Sequence, residues 1–113
     1  MNATARKHPR VKIKLGTSVY TDDGAQDCQI ENISLGGMRI RSDKPLECED
    51  DAMASFAFTL ASGKTINLLA EGQLTYSTAT PDGSHLTGFR FLALTAQERE
   101  ALAQYIAEHS QPQ

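Results

Sequence analysis

Apolar and polar residues alternate along the chain as far as Leu92, and a two-residue repeat predicts β-strands with one buried face. Val11, Ile13 and Leu15 alternate with Lys12, Lys14 and Gly16, and the strand continues through Val19 and Tyr20 to a hairpin turn at Asp22-Asp23-Gly24. Cys28 and Ile30 resume the pattern against Asp27, Gln29 and Glu31. Asn32 to Gly37 reads as a turn, after which Met38 and Ile40 oppose Arg39 and Arg41 on a short strand. Ser42 to Asp51 is polar, acidic and contains Pro45, which predicts a loop.

Further on, Ala54, Phe56, Phe58 and Leu60 share one strand face, and Ser62-Gly63-Lys64 turns the chain. Ile66, Leu68, Ala70, Gly72, Leu74 and Tyr76 then share a face along a long strand, with Gly72 marking a bulge or tight bend. Pro81-Asp82-Gly83 is a turn signal, and His85 to Leu92 forms the last strand. The aromatic residues Phe56, Phe58, Phe89, Phe91 and Tyr76 fall at strand spacing and read as core. The repeat then changes: Thr95-Ala96-Gln97-Glu98 fits a capping box, and Leu102, Tyr105 and Ile106 form one helical stripe that fades near His109.

About six strands and one helix in 113 residues make a single domain, mainly β, whose strands are too few to divide. A compact barrel is the expected arrangement, with the helix covering one open end. Residues 1–10 lack periodicity and are read as a flexible arm, 11–109 as the barrel and helix, and 110–113 as a tail.

Composition narrows the functional classes. With 40% hydrophobic and 22% charged residues the chain is of ordinary globular type, and its net charge of −3 argues against a general DNA or RNA binder. Charge is nonetheless uneven: Arg6, Lys7, Arg10, Lys12 and Lys14 crowd the start, a local basic segment suited to a small anionic ligand. Cys28 and Cys48 form no CxxC and are expected as reduced thiols. With no signal-peptide pattern and no apolar run long enough to span a bilayer, a cytoplasmic location without membrane insertion is expected. His8, His85 and His109 are scattered, so no metal site and no cofactor are expected, and Ser34 has no base partner that would make it a nucleophile. No enzyme chemistry is visible.

Two short patterns remain. Arg6 and Arg10 stand four positions apart, and Asn32-Ile33-Ser34-Leu35-Gly36-Gly37 places an amide, a hydroxyl and two glycines between strands. Each alone is a weak signal, read most simply as a basic terminus and a hairpin turn. In this order, flanking a strand pair, they resemble the RxxxR and (D/N)xSxxG motifs of PilZ domains, bacterial receptors for cyclic di-GMP. Gly88-Phe89-Arg90-Phe91 is similar to the ending of that family's last strand, and the resemblance covers nearly the whole chain.

The resemblance implies a six-stranded antiparallel β-barrel with one C-terminal α-helix, and cyclic di-GMP as ligand. It implies Arg6, Arg10, Asn32, Ser34 and Gly37 as ligand-binding residues, with Lys7, Gly36 and Arg39 secondary. The chemistry is coherent: an arginine fork matches the O6 and N7 acceptors of guanine and stacks on purines, and Asn32 offers an acceptor to guanine's N–H edge. Gly37 would let backbone and ligand approach closely, while Gly36 serves the turn. Many family members carry a basic residue immediately before the first arginine; here it is Ala5, which leaves open whether one or two ligands bind.

The expected function is a stand-alone receptor or adaptor whose arm orders over the ligand and signals to an unidentified protein partner in motility, biofilm or exopolysaccharide output. The alternatives are a PilZ-type interaction module of a pilus or motility assembly that binds no nucleotide, and an OB-like binder of single strands, which would need exposed aromatics on a basic groove. Arg39, Arg41 and Arg90 read individually as solvated side chains.

Overall fold

The computed structural model of the chain describes residues 10–48 and 50–110. Six strands, β1 (Val11–Thr21), β2 (Gly24–Ile33), β3 (Gly37–Ser42), β4 (Ala52–Thr59), β5 (Thr65–Ala79) and β6 (His85–Ala93), precede one helix, α1 (Ala96–His109). The strands close into a barrel in the order β1-β2-β3-β6-β5-β4, every neighbouring pair antiparallel. This is the mainly β barrel with a C-terminal helix that the alternating pattern predicts.

The alternation holds best in β4, where Ala54, Phe56 and Phe58 point inward and Leu60 follows them into the core. Glycines occupy the tight turns: Gly24, Gly63 and Gly83 all have positive φ, which only glycine adopts at little cost. α1 starts with the capping box in full, since Thr95 accepts from the Glu98 amide and Glu98 accepts from the Thr95 amide. Its stripe of Leu102, Tyr105 and Ile106 is buried, with Tyr105 against Phe58 at 4.6 Å between ring centroids. Glu108 Oε1 accepts from the Ala61 amide at 2.9 Å, so α1 covers the barrel end that carries the β4–β5 turn.

Where the pattern fails, bulges are the cause. Strict alternation from Ile30 would send Asn32 inward, yet Ile30 and Ile33 are both fully buried. The β2–β3 register shifts between Ile30 and Asn32, which inserts Glu31 as an extra residue and leaves Glu31 and Asn32 both on the outer face. Asn32 thus belongs to β2, opposite Lys12 and Arg39, and not to the turn that follows. The long face of β5 breaks in the same way. A shift between Leu74 and Ser77 sets Thr75 and Tyr76 against the single residue Gly88, and Tyr76, expected in the core, is instead 49% exposed. A further shift beside Gly72 confirms an irregularity there but puts the extra residue, Leu92, on the opposing strand β6; a side chain at Gly72 would overlap the Phe89 ring.

Two smaller departures follow from packing. Ile13 and Leu15 are only half-buried because β1 carries its own irregularity between Lys12 and Leu15. The 42–51 stretch, expected as a polar loop, sends Leu46 into the core. Both cysteines are free, and burial raises the Cys28 thiol to about 11, with Asp27 and Asp43 adding to the shift.

Candidate functional site

The outer wall of the barrel carries a transverse row of residues fixed by strand register. Lys12 on β1 faces Asn32 on β2, Asn32 faces Arg39 on β3, and Arg39 faces Gly88 on β6. Gly88 in turn lies against Thr75 and Tyr76 of β5, whose side chains occupy the space a Cβ at Gly88 would take. Two cations, an amide, a bare backbone and an aromatic ring therefore span five adjacent strands.

Beside this row lies a cleft of about 440 Å³. Arg10, immediately before β1, and Arg90 on β6 are the charged residues among the described residues that line it; Ser34, Gly37, Tyr76 and Gly88 contribute to its wall. Arg10 Nη1 donates to Asn32 Oδ1 at 2.7 Å, which joins the end of one sequence motif to the start of the other. Arg90 Nη2 donates to Gln73 Oε1 at 2.5 Å, which orients the second guanidinium across the β5–β6 pair. A recess whose charged lining is cationic suits an anion, and guanidinium forks add directional recognition of planar acceptors.

Ser34 is 3% exposed and its hydroxyl holds the turn together. Its Oγ donates to the Gly37 carbonyl at 3.3 Å and accepts from the Gly36 amide at 3.2 Å, while its own amide donates to the same Gly37 carbonyl at 2.8 Å. The absence of a side chain at Gly37 has a clear structural cause: a Cβ there would overlap the Phe89 carbonyl across the β3–β6 pair. The Gly36 carbonyl accepts from the Phe91 amide at 3.0 Å, tying the turn to β6. The (D/N)xSxxG pattern therefore builds the corner of the cleft as well as lining it.

Arg39 stands next to Asn32 in the row, outside the cleft lining, and its buried Nε has no hydrogen-bond partner among the described residues. Arg41 is committed elsewhere: its Nε donates to Glu31 Oε2 at 2.5 Å, and its Nη1 reaches Ser84 Oγ at 2.6 Å and Asp82 Oδ2 at 3.3 Å. The Arg41 hydrogen bond, helped by the charges of Arg41, Arg39 and Lys14, holds the Glu31 carboxyl below its usual range against the opposing effect of burial. Arg6 and Lys7 lie outside the described residues.

Sequence reasoning missed Tyr76 and Arg90. An exposed arginine carries no mark that distinguishes it from a solvated one. The available signal was Gly88, a glycine inside a strand, which points to a close approach by a neighbour. Among the described residues no group of His, Cys, Asp and Glu is placed to hold a metal ion, and no helix is long and apolar enough to cross a membrane.

Solved structures share this architecture at low sequence identity. The Bacillus subtilis inhibitor of motility MotI matches with a TM-score of 0.79 at 16% identity, covering 93% of this chain and 50% of that one. The PilZ domain of Escherichia coli YcgR, solved with c-di-GMP, matches with a TM-score of 0.70 at 14% identity, over 94% of this chain and 92% of that domain. The PilZ domain of CeSA from a cellulose-synthesizing bacterium gives 0.58 at 15% identity, over 88% of this chain and 96% of the other. The chain thus spans about half the length of MotI and, at 46%, somewhat less of the longer YcgR structure with c-di-GMP. No curated relative matches the chain by sequence. The PilZ domain family model matches residues 4–108, and the chain belongs to the PilZ domain family.

Proposed function

We propose that this domain is a receptor for cyclic di-GMP that acts by binding and carries out no chemistry. The observation that carries the reading is the Arg10–Asn32 bond at the cleft, which brings parts of the two motifs together. Arg10 and Arg90 supply cationic forks for phosphate oxygens and guanine acceptors, and Asn32 supplies an acceptor for guanine N–H groups. The YcgR domain solved with c-di-GMP has the same fold, which supports the choice of ligand.

Occupation of the cleft would compete with Asn32 for Arg10 and so rearrange the start of β1. That rearrangement is the signal read by a protein partner, and the likeness to an inhibitor of motility favours a motility output. The test is isothermal titration with cyclic di-GMP, cyclic di-AMP and GMP. Selective binding near micromolar, about −8 kcal/mol, is the expected result. Absence of heat and of any thermal shift would sink the receptor reading and leave the interaction module, for which exposed Tyr20 and Leu69 on β1 and β5 provide apolar surface.

A further inference from the structure

The motif residues occupy the β1–β2–β3 side of the cleft. Its β5–β6 side carries a second set of groups that neither motif includes. Tyr76 is turned out of the core by the bulge opposite Gly88 and is 49% exposed. Its ring packs where a side chain at Gly88 would stand, so the glycine gives the ring its seat. Two residues along the same face of β6, about 6–7 Å by strand geometry, Arg90 projects into the cleft and is held by the Gln73 amide oxygen at 2.5 Å. A guanidinium has five N–H donors, so one bond to Gln73 fixes its plane without exhausting its fork.

An exposed aromatic face with an oriented guanidinium beside it has the ingredients of a purine site. The ring offers stacking, and the fork matches O6 and N7 of guanine; adenine presents N7 with a donor beside it and mismatches the fork. Cyclic di-GMP has two guanines, and the Arg10–Asn32 corner has room in its chemistry for one. Resting on the receptor reading, we infer that Tyr76 and Arg90 form a separate guanine subsite on the β5–β6 wall, with Tyr76 as the stacking surface, Arg90 as the base-reading group and Gln73 as its positioning residue.

Titrations of wild type, Tyr76→Leu, Tyr76→Phe and Arg90→Lys with cyclic di-GMP and cyclic di-AMP test this, with Arg10→Ala as a reference for the motif side. Thermal midpoints confirm that each variant folds. Tyr76→Leu should weaken cyclic di-GMP binding at least tenfold while Tyr76→Phe stays within threefold of wild type. Arg90→Lys, which keeps the charge and loses the fork, should reduce the preference for the guanine over the adenine ligand at least tenfold. If Arg10→Ala loses affinity while Tyr76→Leu and Arg90→Lys match wild type within threefold, the subsite is overturned and the receptor reading stands. Loss of affinity in Tyr76→Leu with unchanged selectivity in Arg90→Lys overturns the base-reading role. A wild type that binds neither ligand overturns the receptor reading and the subsite together.

Discussion

Arg10 Nη1 and Asn32 Oδ1 meet at 2.7 Å across 22 positions of sequence, at the point where β1 begins and β2 ends. The arginine read as part of a loose arm is therefore already placed at the cleft, by a contact that the bulge at Glu31 makes available by turning Asn32 outward. The bond is exposed, and exposed neutral–charged bonds of this kind contribute little net stability. Arg10→Ala should lower cyclic di-GMP affinity more than tenfold while shifting the thermal midpoint of the unliganded protein by no more than about 3 °C. Titration and a thermal melt on the same preparation check both halves; a large loss of apo stability would mark Arg10 as structural.

Ser34 and Gly37 should behave differently, because the structure uses both to build the corner. Ser34→Ala removes the bonds that link its hydroxyl to Gly36 and Gly37 and should cost about 1 kcal/mol of unfolding free energy. Gly37→Ala forces a methyl group onto the Phe89 carbonyl and should cost about 1–3 kcal/mol. Denaturant midpoints measured without ligand separate these effects from loss of affinity. A Gly37→Ala protein as stable as wild type would show that β3 and β6 can part without penalty.

Acid should weaken the clamp between β2, β3 and the β5–β6 turn. Glu31 is held below its usual range chiefly by its hydrogen bond from Arg41, and Asp82 is held low by Ser84 and then Thr80. A carboxyl with a lowered folded-state pKa stabilises the fold above its unfolded value and loses that contribution as pH falls through the folded value. The thermal midpoint should therefore respond little to these groups between about pH 7 and 5 and fall below about pH 4. Glu31→Gln should lie below wild type at neutral pH and converge with it in acid; parallel curves across the whole range would remove Glu31 from the account.

Thr95→Ala breaks half of the capping box and should destabilise the protein by about 1 kcal/mol, or about 4 °C in midpoint. Because α1 covers the barrel through Leu102, Tyr105 and Ile106, the loss should appear in the cooperative melt of the whole domain. A separate early transition in far-UV circular dichroism would show that the helix unfolds on its own.

Much of this architecture is legible in the sequence because a two-residue repeat is a direct record of a half-buried strand, as Ala54, Phe56 and Phe58 show, and because Thr95 and Glu98 have a single geometric use together. What stays hidden depends on where a strand departs from that repeat. Nothing in the residue types says that Glu31 is the extra residue in β2, or that Tyr76 and Thr75 share one partner in Gly88. Those two irregularities decide which side chains face the cleft. Gly37 illustrates the converse: its glycine was legible, but the pressure on it comes from the Phe89 carbonyl, a contact made across the sheet by a residue far along the chain.

Closure of the barrel rests on a narrow seam. β1 meets β4 through Ser18↔Ser55, Val19↔Ala54 and Tyr20↔Met53, reinforced by Thr17 Oγ1 to the Ser55 carbonyl at 3.0 Å, whereas β4 and β5 pair without interruption from Ala52↔Gly72 to Thr59↔Thr65. A cylinder joined along so short a zip should open there ahead of the β4–β5 ladder. Solvent deuterium should reach the amides of that seam ahead of those in the β4–β5 ladder, and the interior first seen by water is the one behind Val19.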